Sequence, residues 1–162
     1  MKVRKILYSP HFGAGWTTWF SGSIEAKRFM LEYQPFIDSV EAEDRDRKSP
    51  RRMRLWYYDV ANNNFLRCPD DLNDNQEAFR ALCEKTFPET DMICAINRYP
   101  DVLDIAQFCT DFKAAFPDED LPFLGGLRDI AVMEVPKGAR VRIAEYDGNE
   151  SVVVEGSDVG WM

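Results

Sequence analysis

The sequence predicts an α+β fold, in which an antiparallel sheet packs against amphipathic helices. Three observations lead to this class. Strand-like segments stand near both ends of the chain, helical segments stand between them, and tight turn signals separate the last strand-like segments. Strands and helices that are grouped along the chain, and do not alternate, are typical of α+β proteins.

The N-terminal elements are a strand and two helices. The strand covers "VRKILYS", from Val3 to the residues before Pro10. A glycine loop follows at 10–22, and Ser23 is the expected N-cap of a helix over "IEAKRFMLEYQ". Pro35 interrupts this helix, so a further helical turn or two is expected in "FIDSVEAEDR".

The middle of the chain combines a charged segment, a hairpin and two helices. Residues 43–54 mix acidic and basic side chains around a Ser-Pro pair, which predicts a linker or exposed loop. "LWYY" followed by "NNNF" predicts a hairpin over 53–67. The segments 79–92 and 108–121 each carry two Phe residues eight apart and a Phe-Pro stop, so each predicts a helix of about three turns.

The last third of the chain predicts a three-stranded antiparallel meander. Its strands are expected at 128–136, 139–146 and 151–154, and Asp147-Gly148 suits the positive φ of a tight turn. The N-terminal strand, and optionally the segment 54–60, would extend this sheet.

Composition predicts a single domain over residues 1–162, because 45% of the residues are hydrophobic and can form a core. No apolar run is long enough for a transmembrane helix, and the first one is too short for a signal peptide, so we expect a cytoplasmic location and no membrane contact. The four cysteines lack C-x-x-C spacing and His11 is the only histidine, which predicts buried reduced thiols, no metal site and no cofactor.

The charge is unevenly placed. Residues 1–100 carry 15 acidic and 15 basic side chains, whereas residues 101–162 carry 13 acidic and 5 basic ones and give the net charge of −8. This balance disfavours binding to duplex nucleic acid. The acidic third could face a basic partner surface, or it could simply keep the protein in solution.

Three motifs and a terminal tryptophan stand out together. They are "ILYSPHFGAGWTTW", "LGGLRDIAVMEVPKG", "VRIAEYDGNESV" and Trp161. In this order they resemble a family of small bacteriophage or prophage accessory proteins with the pattern S-P-x-F-G-A-G-W, G-G-x-R-D-L and R-I-x-E-Y-D-G-x-E. His11 stands where glycine is more usual in that family, and Ile130 where leucine is.

The resemblance covers residues 3–42 and 104–161. Residues 43–100 are therefore expected to be an insertion that carries a hairpin and a helix. The resemblance implies a phage or prophage origin, the host cytoplasm as location and an accessory role. It implies no particular chemistry.

The loop "PHFGAGWTTW" admits two functional interpretations and a structural one. Its G-x-G, followed by two threonines near a helix start, could cradle a phosphate, although it lacks a Walker lysine and the third glycine of a dinucleotide fingerprint. The rings of Phe12, Trp16 and Trp19 could instead stack on a base or anchor a protein partner. They could also only cover the core.

The C-terminal motifs carry the other candidate groups. Arg128 and Asp129 point to opposite faces of the expected strand, and Arg128 is expected to pair with Glu145 or Asp147 rather than bind an anion. Glu145, Asp147 and Glu150 surround one turn and could bind a metal, but a solvated acidic turn is the favoured interpretation. No nucleophile–base arrangement is evident, so an enzyme is disfavoured.

The leading hypothesis is a non-enzymatic phage accessory protein that binds a host or anti-phage defence protein and inhibits or redirects it. Alternatives are a nucleotide-binding module, or sponge for a nucleotide signal, and a small metal-dependent enzyme that uses the C-terminal carboxylates. The candidate binding residues lie in the three motifs: Tyr8, Ser9, His11, Phe12, Gly13, Gly15, Trp16, Trp19, Arg128, Asp129, Glu145, Tyr146, Asp147 and Glu150.

Overall fold

The computed structural model describes residues 2–46, 51–59, 62, 64–88 and 96–155, and it confirms the α+β class. Seven strands and four α-helices are described within these ranges. In chain order they are β1 (Val3–Tyr8), α1 (Ile24–Leu31), α2 (Gln34–Asp46), β2 (Met53–Asp59), β3 (Asn64–Arg67), α3 (Gln76–Thr86), β4 (Ile96–Pro100), α4 (Ile105–Ala115), β5 (Ala131–Pro136), β6 (Arg140–Tyr146) and β7 (Asn149–Glu155). Short 3-10 helices stand at Asp70–Leu72 and Leu124–Asp129.

The strands pair in three small antiparallel groups, which corrects the predicted meander. β1 pairs with β5, β2 lies between β3 and β4, and β6 pairs with β7. The chain enters β5 only at Ala131, because "LGGLRD" forms a 3-10 helix where a strand was expected. The β6–β7 hairpin is attached to the loop after β1 rather than to β5, since the Glu150 N–H donates to the Ser9 carbonyl at 2.7 Å.

The segment 54–60 does not extend the β1–β5 pair, which corrects the optional extension of that sheet. Residues 54–59 lie in β2, which forms the predicted hairpin with β3 and also pairs with β4, and residue 60 lies outside the described residues. Asp147 and Gly148 have φ of 51° and 85°, so the predicted tight turn between β6 and β7 is confirmed.

Helices α1, α3 and α4 begin after residues whose side chains cap them, of which Ser23 was predicted. Ser23 Oγ accepts from the Ala26 N–H, as expected, and the side chains of Asn75 and Asp104, directly before α3 and α4, cap those helices in the same way. Both helices end before a Phe-Pro pair, which confirms the predicted stops.

Helix α2 is longer than predicted and includes the first part of the charged segment. Pro35 stands in its first turn, where a missing N–H costs nothing, and the helix continues to Asp46. Phe36, Ile37 and Val40 are buried on one face of the helix. Their packing stabilises the helix, which continues into the charged residues that follow. Residues 47–50 of the charged segment lie outside the described residues.

The side chains of β2 divide the interior into two clusters. Trp56 faces the main core, to which α1, α2 and α4 contribute buried side chains such as Met30, Phe36 and Phe108. Leu55 and Tyr57 face a smaller core that includes Phe79 and Cys83 of α3. Every member of this smaller cluster comes from residues 55–96, and the assignment of 43–100 as an insertion in a single domain stays a prediction.

The cysteines behave as predicted where they are described. Cys68, Cys83 and Cys109 are buried free thiols, and Cys94 lies outside the described residues. Across the described ranges, no helix combines the length and apolar character needed to cross a membrane.

Candidate functional site

The three sequence motifs meet in space at one end of β1. The loop after β1 lies against the β6–β7 turn, where the Gly13 N–H donates to the Asp147 carbonyl at 3.0 Å. The 3-10 helix Leu124–Asp129 packs closely against the loop after β1. A Cβ placed on Gly126 would lie only 2.4 Å from the Gly15 carbonyl oxygen. Segments separated by more than a hundred residues therefore form one compact substructure.

Glu150 is the centre of this substructure. Its side chain is only 1% exposed. Oε1 accepts from the Ser9 N–H at 2.8 Å, and Oε2 accepts from the Trp16 N–H at 2.8 Å, the Thr18 N–H at 3.1 Å and the Thr18 hydroxyl at 2.6 Å. Four donors around one buried carboxylate satisfy its charge without a cation.

The expectations for this loop are corrected by that geometry. The loop does bind an anion, as its glycines and threonines suggested, but the anion is the protein's own Glu150. The amides of Trp16 and Thr18 are occupied and do not face a free phosphate site. Glu150 is likewise not part of a solvated acidic turn, because the long-range contacts of the loop enclose it.

Close approach explains the glycines of the motifs. A Cβ on Gly15 would lie 2.4 Å from Thr18 Oγ1 and 3.0 Å from Glu150 Oε2. Gly148 combines a φ of +85° with a Cβ position only 2.6 Å from the Ala14 nitrogen. Any side chain at these positions would push the loop off the carboxylate.

Trp16 belongs to the core and not to a docking surface. It is fully buried, its ring packs on Phe108 at a centroid distance of 5.4 Å, and its indole N–H donates to the Met30 carbonyl at 3.0 Å. The free carbonyl near the end of α1 gives the indole a partner, which allows the whole ring to be enclosed. Ser9 is also buried, so neither side chain can contact a partner in this structure.

Four other aromatic side chains are exposed, and we call them the aromatic rim: Phe12, Trp19, Phe123 and Tyr146. Their exposed fractions are 62%, 42%, 54% and 75%, respectively. Trp19 stacks on Phe123 with ring centroids 6.0 Å apart and planes 17° apart, and Phe12 meets Tyr146 edge to face at 6.2 Å. An exposed patch of this kind is typical of a binding surface.

Three members of the rim border a cleft of about 400 Å³, which we call the aromatic cleft. Tyr58, Asn97 and Tyr99 also line it, as do Arg128 and Asp129. Burial raises the pKa of the Tyr58 and Tyr99 hydroxyls above their ordinary value, so both phenols remain neutral hydrogen-bonding groups at physiological pH.

The remaining predicted residues are placed on the outside of the substructure. His11, Arg128 and Asp129 are exposed, and Tyr8 is half-buried in β1. In the part of the chain that is described, Arg128 forms no ion pair with Glu145 or Asp147, which corrects the expected pairing.

Glu145 stabilises the β6–β7 turn itself. Its Oε2 accepts from the Gly148 N–H at 2.6 Å and lies 3.5 Å from the Trp19 indole nitrogen. Over the described ranges, no group of three His, Cys, Asp or Glu side chains could hold a metal ion, and the carboxylates of Glu145 and Glu150 accept from different groups of the protein. The metal-site interpretation of this hairpin therefore has no geometric basis here.

Several residues of the site were missed from the sequence. Phe123 directly precedes the "LGGLRD" motif, and this adjacency was the available signal. Tyr58, Asn97 and Tyr99 come from 43–100, where the resemblance gives no pattern. Arg51, in the segment expected to be an exposed loop, pairs with Glu43 and donates to the Ile130 carbonyl at 2.9 Å, so it fixes the end of the 3-10 helix.

The anchored glycine loop and the aromatic cleft beside it form the candidate functional site. The carboxylate of Glu150 fixes the loop from inside, and two members of the aromatic rim, Phe12 and Trp19, are exposed on the same loop. Comparison of the chain with protein-family models, with curated proteins and with solved structures finds no match.

Proposed function

We propose that this chain is a non-enzymatic phage or prophage accessory protein that binds a protein partner through the aromatic cleft. The observation that carries the proposal is the group of four exposed aromatic side chains of the rim, three of which border one cleft. Trp and Tyr are enriched among the residues that contribute most to protein–protein binding energy. A rigid loop that holds such rings in place lowers the entropic cost of binding them.

The charges around the rim support a partner with a basic border. Asp129, Glu145 and Asp147 are exposed next to the aromatic side chains, and Arg128 is the nearby cation among the cleft residues. The surplus of acidic residues in 101–162 adds a long-range negative field on this part of the chain. Such a field speeds the encounter with a basic surface and favours one orientation of it.

The identity of the partner class rests on the resemblance to phage proteins. We infer from it that the protein acts in the host cytoplasm on a host or anti-phage defence protein, which it inhibits or redirects. The aromatic cleft is the surface that would perform this contact.

A nucleotide is the second candidate ligand for the same cleft. The stacked pair of Trp19 and Phe123 offers a flat face for a base, and Arg128 and Asn97 are polar groups within reach of a ligand in the cleft. The glycine loop contributes less than expected to this candidate, because its amides already hold Glu150. Phosphates would depend on Arg128, which makes the protein partner the better-supported proposal.

The test is an affinity capture with matched variants, followed by a binding measurement on the captured protein. We expect Trp19→Ala and Phe123→Ala each to weaken binding by about 2 kcal/mol or more, roughly 30-fold. Val102→Ala removes an exposed apolar side chain, 39% exposed, that does not line the cleft, and it should leave the affinity unchanged.

A contrary result would identify the alternative. If the rim variants bind the captured protein as tightly as the wild type, the aromatic cleft is not the docking surface. If an adenine nucleotide raises the melting temperature of the wild type and Arg128→Gln abolishes this shift, the nucleotide candidate replaces the protein partner.

A further inference from the structure

A second groove lies between α1 and β6, and it shares no lining residue with the aromatic cleft. Its volume is about 470 Å³, in the range of small-molecule binding sites. One wall is a single face of α1, with Ile24, Lys27, Arg28 and Leu31 at helical spacings of three and four residues. Strand β6 supplies much of the other side.

The groove is strongly cationic, in contrast to the acidic chain as a whole. Four basic side chains line it, namely Arg4, Lys27, Arg28 and Arg140, against one carboxylate, Glu32. Because the whole chain has a net charge of −8, its composition does not account for the positive charge of this groove.

One of the four cations is partly satisfied within the protein. Arg4 lies 3.6 Å from Glu32 and donates to the Ala139 carbonyl at 3.2 Å, although its Nε is buried and finds no acceptor among the described residues. Lys27, Arg28 and Arg140 have no ion-pair partner among the described side chains. Three positive charges therefore remain available to an anion.

The lining of the groove is apolar between these charges. Val141 and Ile143 stand on one face of β6, opposite Ile24 and Leu31 of α1. Ile24 is 71% exposed, and a ligand that covered it would gain by removing apolar surface from water. A simple inorganic anion would neutralise the charges but leave this surface uncovered.

We propose that the α1–β6 groove binds a small organic phosphate with an apolar body. Guanidinium groups match the oxygen geometry of phosphate by paired hydrogen bonds, and an ammonium group adds a point charge beside them. The aliphatic side chains then cover the apolar body of the ligand. This site is independent of the proposed protein-binding function.

The experiment is calorimetric titration of the full chain at low salt with three probes. Geranyl diphosphate carries both features, pyrophosphate carries only the charge, and geraniol carries only the apolar body. We expect geranyl diphosphate to bind at least tenfold tighter than either of the other two, with an affinity that falls as salt is added.

Variants locate the site and separate it from the aromatic cleft. Lys27→Gln and Arg28→Gln should each weaken geranyl diphosphate about tenfold, since each removes a charge-assisted contact. Arg45→Gln, which removes an exposed cation of α2 outside the groove, and Phe123→Ala, in the aromatic cleft, should leave the affinity unchanged.

Three results would overturn the proposal. The first is that geranyl diphosphate does not bind, and the second is that it binds equally well after both groove substitutions. The third is that pyrophosphate binds as tightly, which would remove the role of the apolar lining. The melting temperature of each variant is compared with that of the wild type, so that a loss of affinity is distinguished from a loss of the fold.

Discussion

Removing the Glu150 side chain tests the internal anchor of the glycine loop. The substitution Glu150→Ala leaves two buried backbone donors, the N–H groups of Ser9 and Trp16, without an acceptor. The amide and hydroxyl of Thr18 also lose their partner, but they are only partly buried and water can reach them. The loss is therefore concentrated in the two enclosed amides.

The expected cost follows from these two donors. A buried donor left without a partner costs about 1–3 kcal/mol, so Glu150→Ala should lower the free energy of unfolding by about 4 kcal/mol. For a chain of this size that corresponds to a fall in Tm of about 8–16 °C. Glu150→Gln keeps the shape and one acceptor, and it should cost about half as much because its NH₂ group must face at least one donor.

Urea unfolding followed by tryptophan fluorescence measures these differences. Glu145→Ala is the matched control, because it removes an exposed carboxylate from the same hairpin. This carboxylate accepts from one turn amide, the Gly148 N–H. We expect it to cost about 1 kcal/mol or less. If Glu150→Ala and Glu145→Ala destabilise equally, Glu150 is not the anchor and the description of the loop is wrong.

Three further predictions concern the surroundings of this anchor. Gly126→Ala should lower the free energy of unfolding by about 1–3 kcal/mol, because its Cβ would meet the Gly15 carbonyl at 2.4 Å; a neutral result in urea unfolding would contradict this close packing. Burial raises the pKa of the Cys109 thiol to about 12, so site-resolved mass spectrometry should find it unlabelled in the native protein at pH 8, and rapid native labelling would disprove the burial. Hydrogen bonds from Ser23 lower the pKa of Glu119 below its ordinary value of 4.5. The Glu119 carboxylate therefore stabilises the fold above the pKa of the unfolded state, and this stabilisation is lost as the pH falls through the folded pKa. The difference in the free energy of unfolding between wild type and Glu119→Gln should shrink on acidification, and a difference that grows would contradict this.

The sequence-based predictions succeeded where local chemistry decides the structure. Ser23 caps α1 because a serine oxygen before a helical run satisfies a free N–H group whatever surrounds it. Asp147-Gly148 forms the expected turn because both residues tolerate positive φ. These signals act over three or four residues, and tertiary contacts rarely override them.

The strand pairing was not available from local signals. A meander was the simplest connection for three successive strands separated by short turns, but β5 pairs with β1 from the far end of the chain. The hairpin β6–β7 then docks on the loop after β1 through the contact of Glu150 with Ser9. Only contacts between distant segments determine which of these arrangements is the more stable.

The sequence contains one indication that Glu150 is buried, and the sequence-based prediction did not use it. The predicted turn at Asp147-Gly148 places Glu145 directly opposite Glu150 in the hairpin, as the structure has it. Two like charges in such a pair repel unless one has other partners. The five-residue separation of these glutamates around the turn thus indicated that one carboxylate is held elsewhere, in this case by the glycine loop.

The aromatic rim was half predicted. Phe12 and Trp19 are exposed as the motif suggested, whereas Trp16 in the same loop is buried. All three side chains are large and aromatic, so residue type alone does not distinguish them. The difference arises because the Trp16 indole N–H reaches the Met30 carbonyl inside the core.

Hydrogen–deuterium exchange on the captured complex tests the central claim most directly, because it reads out which surface a partner covers without any substitution. We predict that binding slows exchange in residues 12–19 and 123–129, which contribute the glycine loop and the 3-10 helix to the aromatic cleft, and leaves α3 unchanged. Protection confined to other parts of the chain, with the exchange of both cleft segments unaltered, would contradict the proposed docking surface.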